Sequence, residues 1–215
     1  TIIKDYFNHT SSAYRKNFIT NQKQYLLSTL QKSSNNWMLS GTASGETLHG
    51  SNVGEVIDGL GGNDVLYGYL GNDAIWGGDG NDTLYGGGGT DVLRGGNGND
   101  TLVGNDGNDK LYGDSGSDTY VFAAGSGSDT VSDLDDLNAI DTLRFSNVAS
   151  TQISFSRIGA DLGITGFGGA SDGVLVKSYF VNNPPGHNKK FVFSDKTLTF
   201  ADMQSGKYRF TLNGT

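Results

Sequence analysis

The residues best placed to do chemistry are carboxylates on a fixed beat. Glu46, Glu55, Asp64, Asp73, Asp82, Asp91, Asp100, Asp109 and Asp118 stand nine residues apart, and Asp129 follows after eleven. Carboxylates stacked close together repel one another, so such an array needs positive charge between its members. Cysteine is absent from all 215 residues, which excludes thiolate metal sites and disulfides. The three histidines, His9, His49 and His187, lack paired ligand spacing and read as surface residues. Carboxylates joined by backbone carbonyls make a hard oxygen cage, which suits calcium far better than zinc or copper.

The elements that position these acids follow from the residues between them. From Gly41 the chain divides into nonapeptides, among them GLGGNDVLY (59–67), GGDGNDTLY (77–85), GGGGTDVLR (86–94) and GGNGNDTLV (95–103), with a last copy, AGSGSDTVS, at 124–132. Position 1 is glycine in nine of ten copies, position 6 is always acidic, and position 8 is always apolar or aromatic, from Leu48 to Val131. Positions 7 to 9 alternate outward, inward, outward and predict a short strand whose position 8 side chain stacks inside. Positions 1 to 5 predict a glycine turn with uncovered carbonyls. One strand and one turn per nonapeptide means that 18 residues close one coil. Asp64, Asp82, Asp100 and Asp118, 18 apart, then stack on one edge, and Asp73, Asp91, Asp109 and Asp129 on the other. Successive carbonyls of an extended turn point in opposite directions, so each turn can serve an ion on either side.

The copies GGDGNDTLY, GGGGTDVLR and GGNGNDTLV resemble the nonapeptide of RTX proteins, G-G-x-G-x-D-x-(large apolar)-x, and the resemblance covers residues 41–132. It implies a parallel β-roll with calcium bound between successive turns. The ligands it implies are the position 6 aspartates Asp64, Asp73, Asp82, Asp91, Asp100, Asp109, Asp118 and Asp129. The carbonyls of positions 1 to 5 join them, here on Gly59, Gly61, Gly68, Gly77, Gly78, Gly80, Gly86, Gly87, Gly88, Gly89, Gly95, Gly96, Asn97, Gly98, Gly104, Gly107, Gly113 and Gly116. About six calcium ions are expected. Glu46 and Glu55 replace aspartate in the first two copies, which are expected to cap the roll with weak or empty sites. Leu60, Tyr69 and Leu70 also interrupt the glycine pattern.

Charge follows glycine. Residues 41–133 hold 15 acids against two bases, Arg94 and Lys110, whereas the segments on either side are slightly basic. The net charge of -8 argues against a nucleic-acid partner, which would call for a basic face. No apolar run is long enough for a membrane helix, and no signal pattern opens the chain. It starts without methionine and reads as a slice of a longer protein.

After Ser132 the alphabet changes. DTLRFSNV, QISFSRIGADLGITGFG and GVLVKSYF alternate apolar and polar residues between Gly and Asn turns and predict antiparallel strands. This region also resembles the aromatic-rich C-terminal flank of RTX blocks, which implies that it caps the last coil and helps it fold. The expected fold is all-β: a calcium-stabilised parallel β-roll at 41–133, flanked by a β-rich capping segment at 134–215 and by residues 1–40. Slid by 173 positions, IIKDYF (2–7) lies on LVKSYF (175–180), Lys16 on Lys189, Phe18 on Phe191 and Gln31 on Gln204. Residues 1–40 therefore read as the tail of a preceding block, and the parent as a large protein of tandem blocks.

GASDG (169–173) matches the serine-hydrolase elbow but leads from a turn into a predicted strand rather than a helix, so Ser171 is not expected to be catalytic. Some RTX proteins cleave themselves at Asp-Pro; here Asn183 precedes Pro184, so that substrate is missing. Thr83, Thr101 and Thr119, and Tyr67 and Tyr85, recur at 18 residues and suit an outward β surface. The chain is read as a non-enzymatic calcium-binding module. Its glycines carry a high ordering entropy and its acids repel, so calcium should be needed for folding. The RTX resemblance implies a secreted bacterial toxin or exoprotein that meets the type I secretion machinery unfolded and folds outside. The alternative is a calcium-dependent adhesion or ligand-binding module for a host-cell surface, glycan or ice.

Overall fold

The computed structural model describes residues 16–20, 23–27, 30–33, 36–132, 139–180, 189–199, 202 and 210–212. Ahead of the repeats lie β1 (Lys16–Thr20), β2 (Lys23–Leu27), β3 (Leu30–Ser33) and β4 (Asn36–Thr42). The repeats form β5 (Thr47–His49), β6 (Glu55–Leu60), β7 (Val65–Leu70), β8 (Ala74–Asp79), β9 (Thr83–Gly89), β10 (Val92–Asn97), β11 (Thr101–Gly107), β12 (Lys110–Ser115), β13 (Thr119–Phe122) and β14 (Ser128–Val131). Beyond them come β15 (Thr142–Phe145), β16 (Ser154–Ile158), β17 (Asp161–Thr165), β18 (Gly173–Val176), β19 (Lys190–Val192), β20 (Thr197–Leu198) and β21 (Phe210–Leu212).

Alternate strands go to opposite sheets. One parallel ladder runs β4-β6-β8-β10-β12-β14-β18 and the other β5-β7-β9-β11-β13-β15-β19. Pairs such as Val92 with Ala74 and Thr101 with Thr83 set the register at 18 residues per coil. The position 8 side chains fill the space between the sheets: Ile57, Leu66, Ile75, Leu84, Leu93, Leu102, Leu111, Tyr120 and Val131 are completely buried. One such side chain per nine residues is a thin core, so the turns must contribute stability of their own.

The turns are more regular than glycine content alone suggests. Strands run through position 3 of the next nonapeptide, because successive turns hydrogen-bond to one another. Gly62 N–H donates to Asp79 O, Gly80 N–H to Asn97 O and Gly98 N–H to Ser115 O, at 2.7 to 2.8 Å. From the third copy on, position 2 has positive φ even where it is not glycine, at Leu60, Tyr69, Asn105 and Asp114 (66 to 76°). Position 4 reaches φ of 145° at Gly89, a region open essentially to glycine alone.

The flank departs from the antiparallel expectation in part. The segments DTLRF and GVLV, as β15 and β18, and also β19, extend the two ladders in parallel. Among the described residues of the flank, antiparallel pairing is confined to β16 with β17, β17 with β18 and β19 with β20. The roll's exposed last strands are satisfied by more strands on the same register, and the aromatic core continues upward from the leucines. Phe122 packs on Phe145 at 5.4 Å and Phe145 stacks on Phe193 at 5.1 Å. At the other end β4 already pairs in parallel with β6, with Leu39 buried opposite Ile57. Residues 2–7, on which the 173-residue echo rests most, lie outside the described residues, as do His9, His187 and Pro184.

Candidate metal centre

The position 6 aspartates are the most deeply buried acids of the roll: Asp64, Asp73, Asp82, Asp91, Asp100, Asp109, Asp118 and Asp129 are each 2% exposed or less. Each stands where a turn passes into the next strand, all but Asp129 one residue ahead of it, and each reaches toward the coil before it. Its Oδ1 accepts the backbone N–H of the acid 18 residues earlier: Asp64 from Glu46, Asp82 from Asp64, Asp100 from Asp82 and Asp118 from Asp100, at 2.7 to 2.8 Å. The second file repeats this from Glu55 through Asp73 and Asp91 to Asp109, and Asp109 N–H then donates to Asp129 Oδ1 at 3.0 Å. The two edges expected from the spacing are therefore two continuous files.

The second carboxylate oxygen sets up the chemistry. Oδ2 of Asp64, Asp73, Asp82, Asp91, Asp100 and Asp109 is buried and meets no hydrogen-bond donor. A buried, ionised oxygen without a partner is costly. Burial accordingly pushes the Asp64, Asp73, Asp91 and Asp109 carboxyls up to about 6, and those of Asp100 and Asp129 up to about 7. The donated backbone N–H opposes that rise, and repulsion from neighbouring acids adds to it, Asp82 and Glu46 on Asp64 for example.

Backbone oxygens converge on the same spot. A Cβ placed on Gly59 would lie 2.5 Å from both Asp64 Oδ2 and Gly77 O. One on Gly77 would lie 2.3 Å from Asp82 Oδ2 and 2.6 Å from Gly95 O, and one on Gly95 2.2 Å from Asp100 Oδ2 and 2.7 Å from Gly113 O. Position 1 is glycine because a carboxylate and a carbonyl share the room a side chain would take. Among the described residues no three His, Cys, Asp or Glu side chains gather into a metal-binding group. A cation here would draw its ligands from single carboxylates and carbonyls, an all-oxygen donor set that fits calcium.

Glu46 and Glu55 are built differently. Glu46 accepts Thr42 N–H at 2.9 Å and the Thr42 hydroxyl, and Glu55 accepts Ser51 N–H at 3.0 Å and the Ser51 hydroxyl. The longer side chain bends back onto position 2 of its own repeat, and both oxygens are satisfied by protein.

Two groups of residues escaped the sequence reading. Asparagines at position 5 form a second ladder running the opposite way: Asn63 Oδ1 accepts Asn81 N–H, Asn81 Oδ1 that of Asn99, and Asn99 Oδ1 that of Ser117, at 2.7 to 2.8 Å. Asn recurring at 18 residues was the available signal. Asp141 continues the first file by accepting Asp118 N–H at 2.9 Å, and the resemblance of IDTLRF to NDTLY pointed to it. Ser171 sits on an exposed turn that leads into β18, beside Asp172, whose carboxylate accepts Gly125, Gly127 and Gly169 N–H groups.

Stacked parallel coils, glycine turns and aspartate files define a calcium-binding repeat protein. Residues 49–84 and 85–120 match the RTX calcium-binding nonapeptide repeat family (4 copies), so these residues are RTX repeats. Among solved structures it is similar to the solution structure of the AlgE6R3 subunit from the Azotobacter vinelandii mannuronan C5-epimerase. That similarity is 24% identity over 73% of this chain and 82% of that one, with a TM-score of 0.24. No curated protein sequence matches significantly.

Proposed function

We infer that this chain is a calcium-folded module of a secreted bacterial protein. The carrying observation is the set of six buried Oδ2 atoms without a donor on Asp64, Asp73, Asp82, Asp91, Asp100 and Asp109. These aspartates, with Asp118 and Asp129 in the same files, would hold calcium together with the carbonyls of the glycine turns, from Gly59 to Gly116. Bound calcium supplies positive charge and oxygen coordination where the protein offers none. The chain's own part is to orient Oδ1 through the preceding backbone N–H, keep position 1 open, and exclude water by stacking. Because the turns order only when the carboxylates are neutralised, binding free energy becomes folding free energy.

Extracellular calcium modules bind at roughly 0.1 to 1 mM, so the module would stay loose in a low-calcium cytosol and fold outside. That suits passage through a type I secretion channel by a cysteine-free chain and belongs with a large toxin or exoprotein of tandem blocks. Far-UV circular dichroism during a calcium titration, with magnesium as control, tests the reading. A cooperative coil-to-β transition near millimolar calcium, absent with magnesium, is expected. A chain fully folded in chelator would reject it.

An adhesion role draws on an outward stack of rings: Tyr67 lies 5.0 Å from His49 and 4.8 Å from Tyr85, its plane nearly parallel to both. The rings cover one another's faces and leave mainly edges for a ligand, so the folding role is preferred.

A further inference from the structure

One file of the ladder continues after its nonapeptide rhythm has ended. Register runs unbroken from Thr83 through Thr101, Thr119 and Thr142 to Lys190. The preceding residues, Asp82, Asp100, Asp118, Asp141 and finally Lys189, therefore share one place in successive coils. The backbone keeps step: Thr119 N–H donates to Asp100 O, Thr142 N–H to Asp118 O and Lys190 N–H to Asp141 O, at 2.7 to 2.8 Å. Asp141 also repeats the side-chain rung by accepting Asp118 N–H on Oδ1. Its other oxygen differs from those of the central coils. Lys189 Nζ lies 2.6 Å from Asp141 Oδ2, with Lys189 7% and Asp141 6% exposed. In the opposite file the place after Asp129 is taken by Val174, which pairs with it.

We propose that Lys189 is the chain's own occupant of the last cation place in this file. Its ammonium gives Asp141 Oδ2 the positive charge that calcium gives the equivalent oxygen in earlier coils. This inference rests on the calcium reading of those coils. A lysine suits the last place and no other: its stem comes from the following coil, so it can close a file but cannot sit between two aspartates. The end of the ladder nearest the aromatic flank therefore forms without metal and presents a finished coil for the next one to stack upon.

The test is a calcium titration of the full chain, followed by circular dichroism, for the wild type, Lys189→Gln, Lys189→Arg and the pair Asp141→Asn with Lys189→Gln. Removing the ammonium beside buried Asp141 lowers the folding constant by about a hundred- to a thousandfold. Spread over about six ions taken up together, that raises the calcium midpoint roughly two- to threefold. Lys189→Arg keeps the charge and should stay near the wild type. The double variant removes both charges and should recover most of the shift. A Lys189→Gln midpoint equal to the wild type, or a double variant as impaired as the single one, overturns the proposal. If Lys189→Gln does not fold at any calcium concentration, recovery in the double variant decides. Loss of the wild-type transition itself would instead strike the calcium reading.

Discussion

In the central coils Asp82 and Asp100 turn Oδ2 toward no protein donor, whereas in the first coil Glu46 and Glu55 direct their carboxylates to Thr42 and Ser51. At the far end Asp141 gives the same oxygen to Lys189. Backbone register is the same in all three places, so the coil does not require a metal as such. What the central coils lack is a protein donor for the second oxygen, Oδ2, of each buried carboxylate. Under the proposed calcium reading, the centre of the roll is the conditional part of the fold and its ends are the autonomous parts.

The largest expected effect comes from closing a central turn. An added Cβ at Gly89 would lie 1.7 Å from Gly71 O, at a φ of 145°. Gly89→Ala should cost about 4 kcal/mol or more in saturating calcium. At Gly125, which also has positive φ but has nothing within 4 Å, the same change should cost about 1 to 2 kcal/mol. Thermal melts of the two variants compare them directly. Next in size, Leu93→Ala empties a completely buried position and should lose about 2 to 5 kcal/mol, by the same measurement.

Charge variants sharpen the contrast between centre and end. Asp100→Asn should weaken the calcium-bound form yet favour the metal-free roll at neutral pH, because it removes a buried carboxylate whose pKa burial has raised to about 7. Glu46→Gln disturbs the carboxylate that accepts from Thr42 and should weaken both forms slightly. Chemical denaturation with and without chelator reads the sign of each. Acidity acts on the centre in the same sense. The raised carboxyls favour the protonated folded state, so their contribution to the metal-free roll is fully present below about pH 4, the unfolded carboxyl range. It is lost as pH rises through about 6 to 7. Circular dichroism in chelator should find more β-structure at pH 5 than at pH 8. The smallest effect is expected on the outer surface. Tyr67→Ala removes the middle ring of the His49–Tyr85 stack and should cost about 1 kcal/mol, with the calcium midpoint almost unmoved.

The sequence made the central coils legible because every requirement there recurs at one interval: a buried Leu, a carboxylate, and glycine where no side chain fits. Period alone located Leu66, Leu84 and Leu102 inside and Asp64, Asp82 and Asp100 on one edge. Where the interval breaks, the reading breaks with it. The reading still spans the 20 residues from Asp109 to Asp129, but Asp141 stands 23 from Asp118 and Lys189 stands 48 from Asp141. Insertions of that size hide a register that only parallel pairing reveals, which is why β15 and β18 read as antiparallel flank. Direction was hidden too. Asp reaches back one coil and Asn63 reaches forward one, and spacing is identical for both.

Native-state hydrogen exchange in calcium and in chelator tests the central claim most directly. The amides of Asp64, Asp82, Asp91 and Asp100, each bonded to the carboxylate of the next coil, should be strongly protected in calcium and exchange freely in chelator. The Asp118 and Lys190 amides, beside the Asp141–Lys189 pair, should keep part of their protection without metal. Equal protection of the central amides in both conditions would contradict the account.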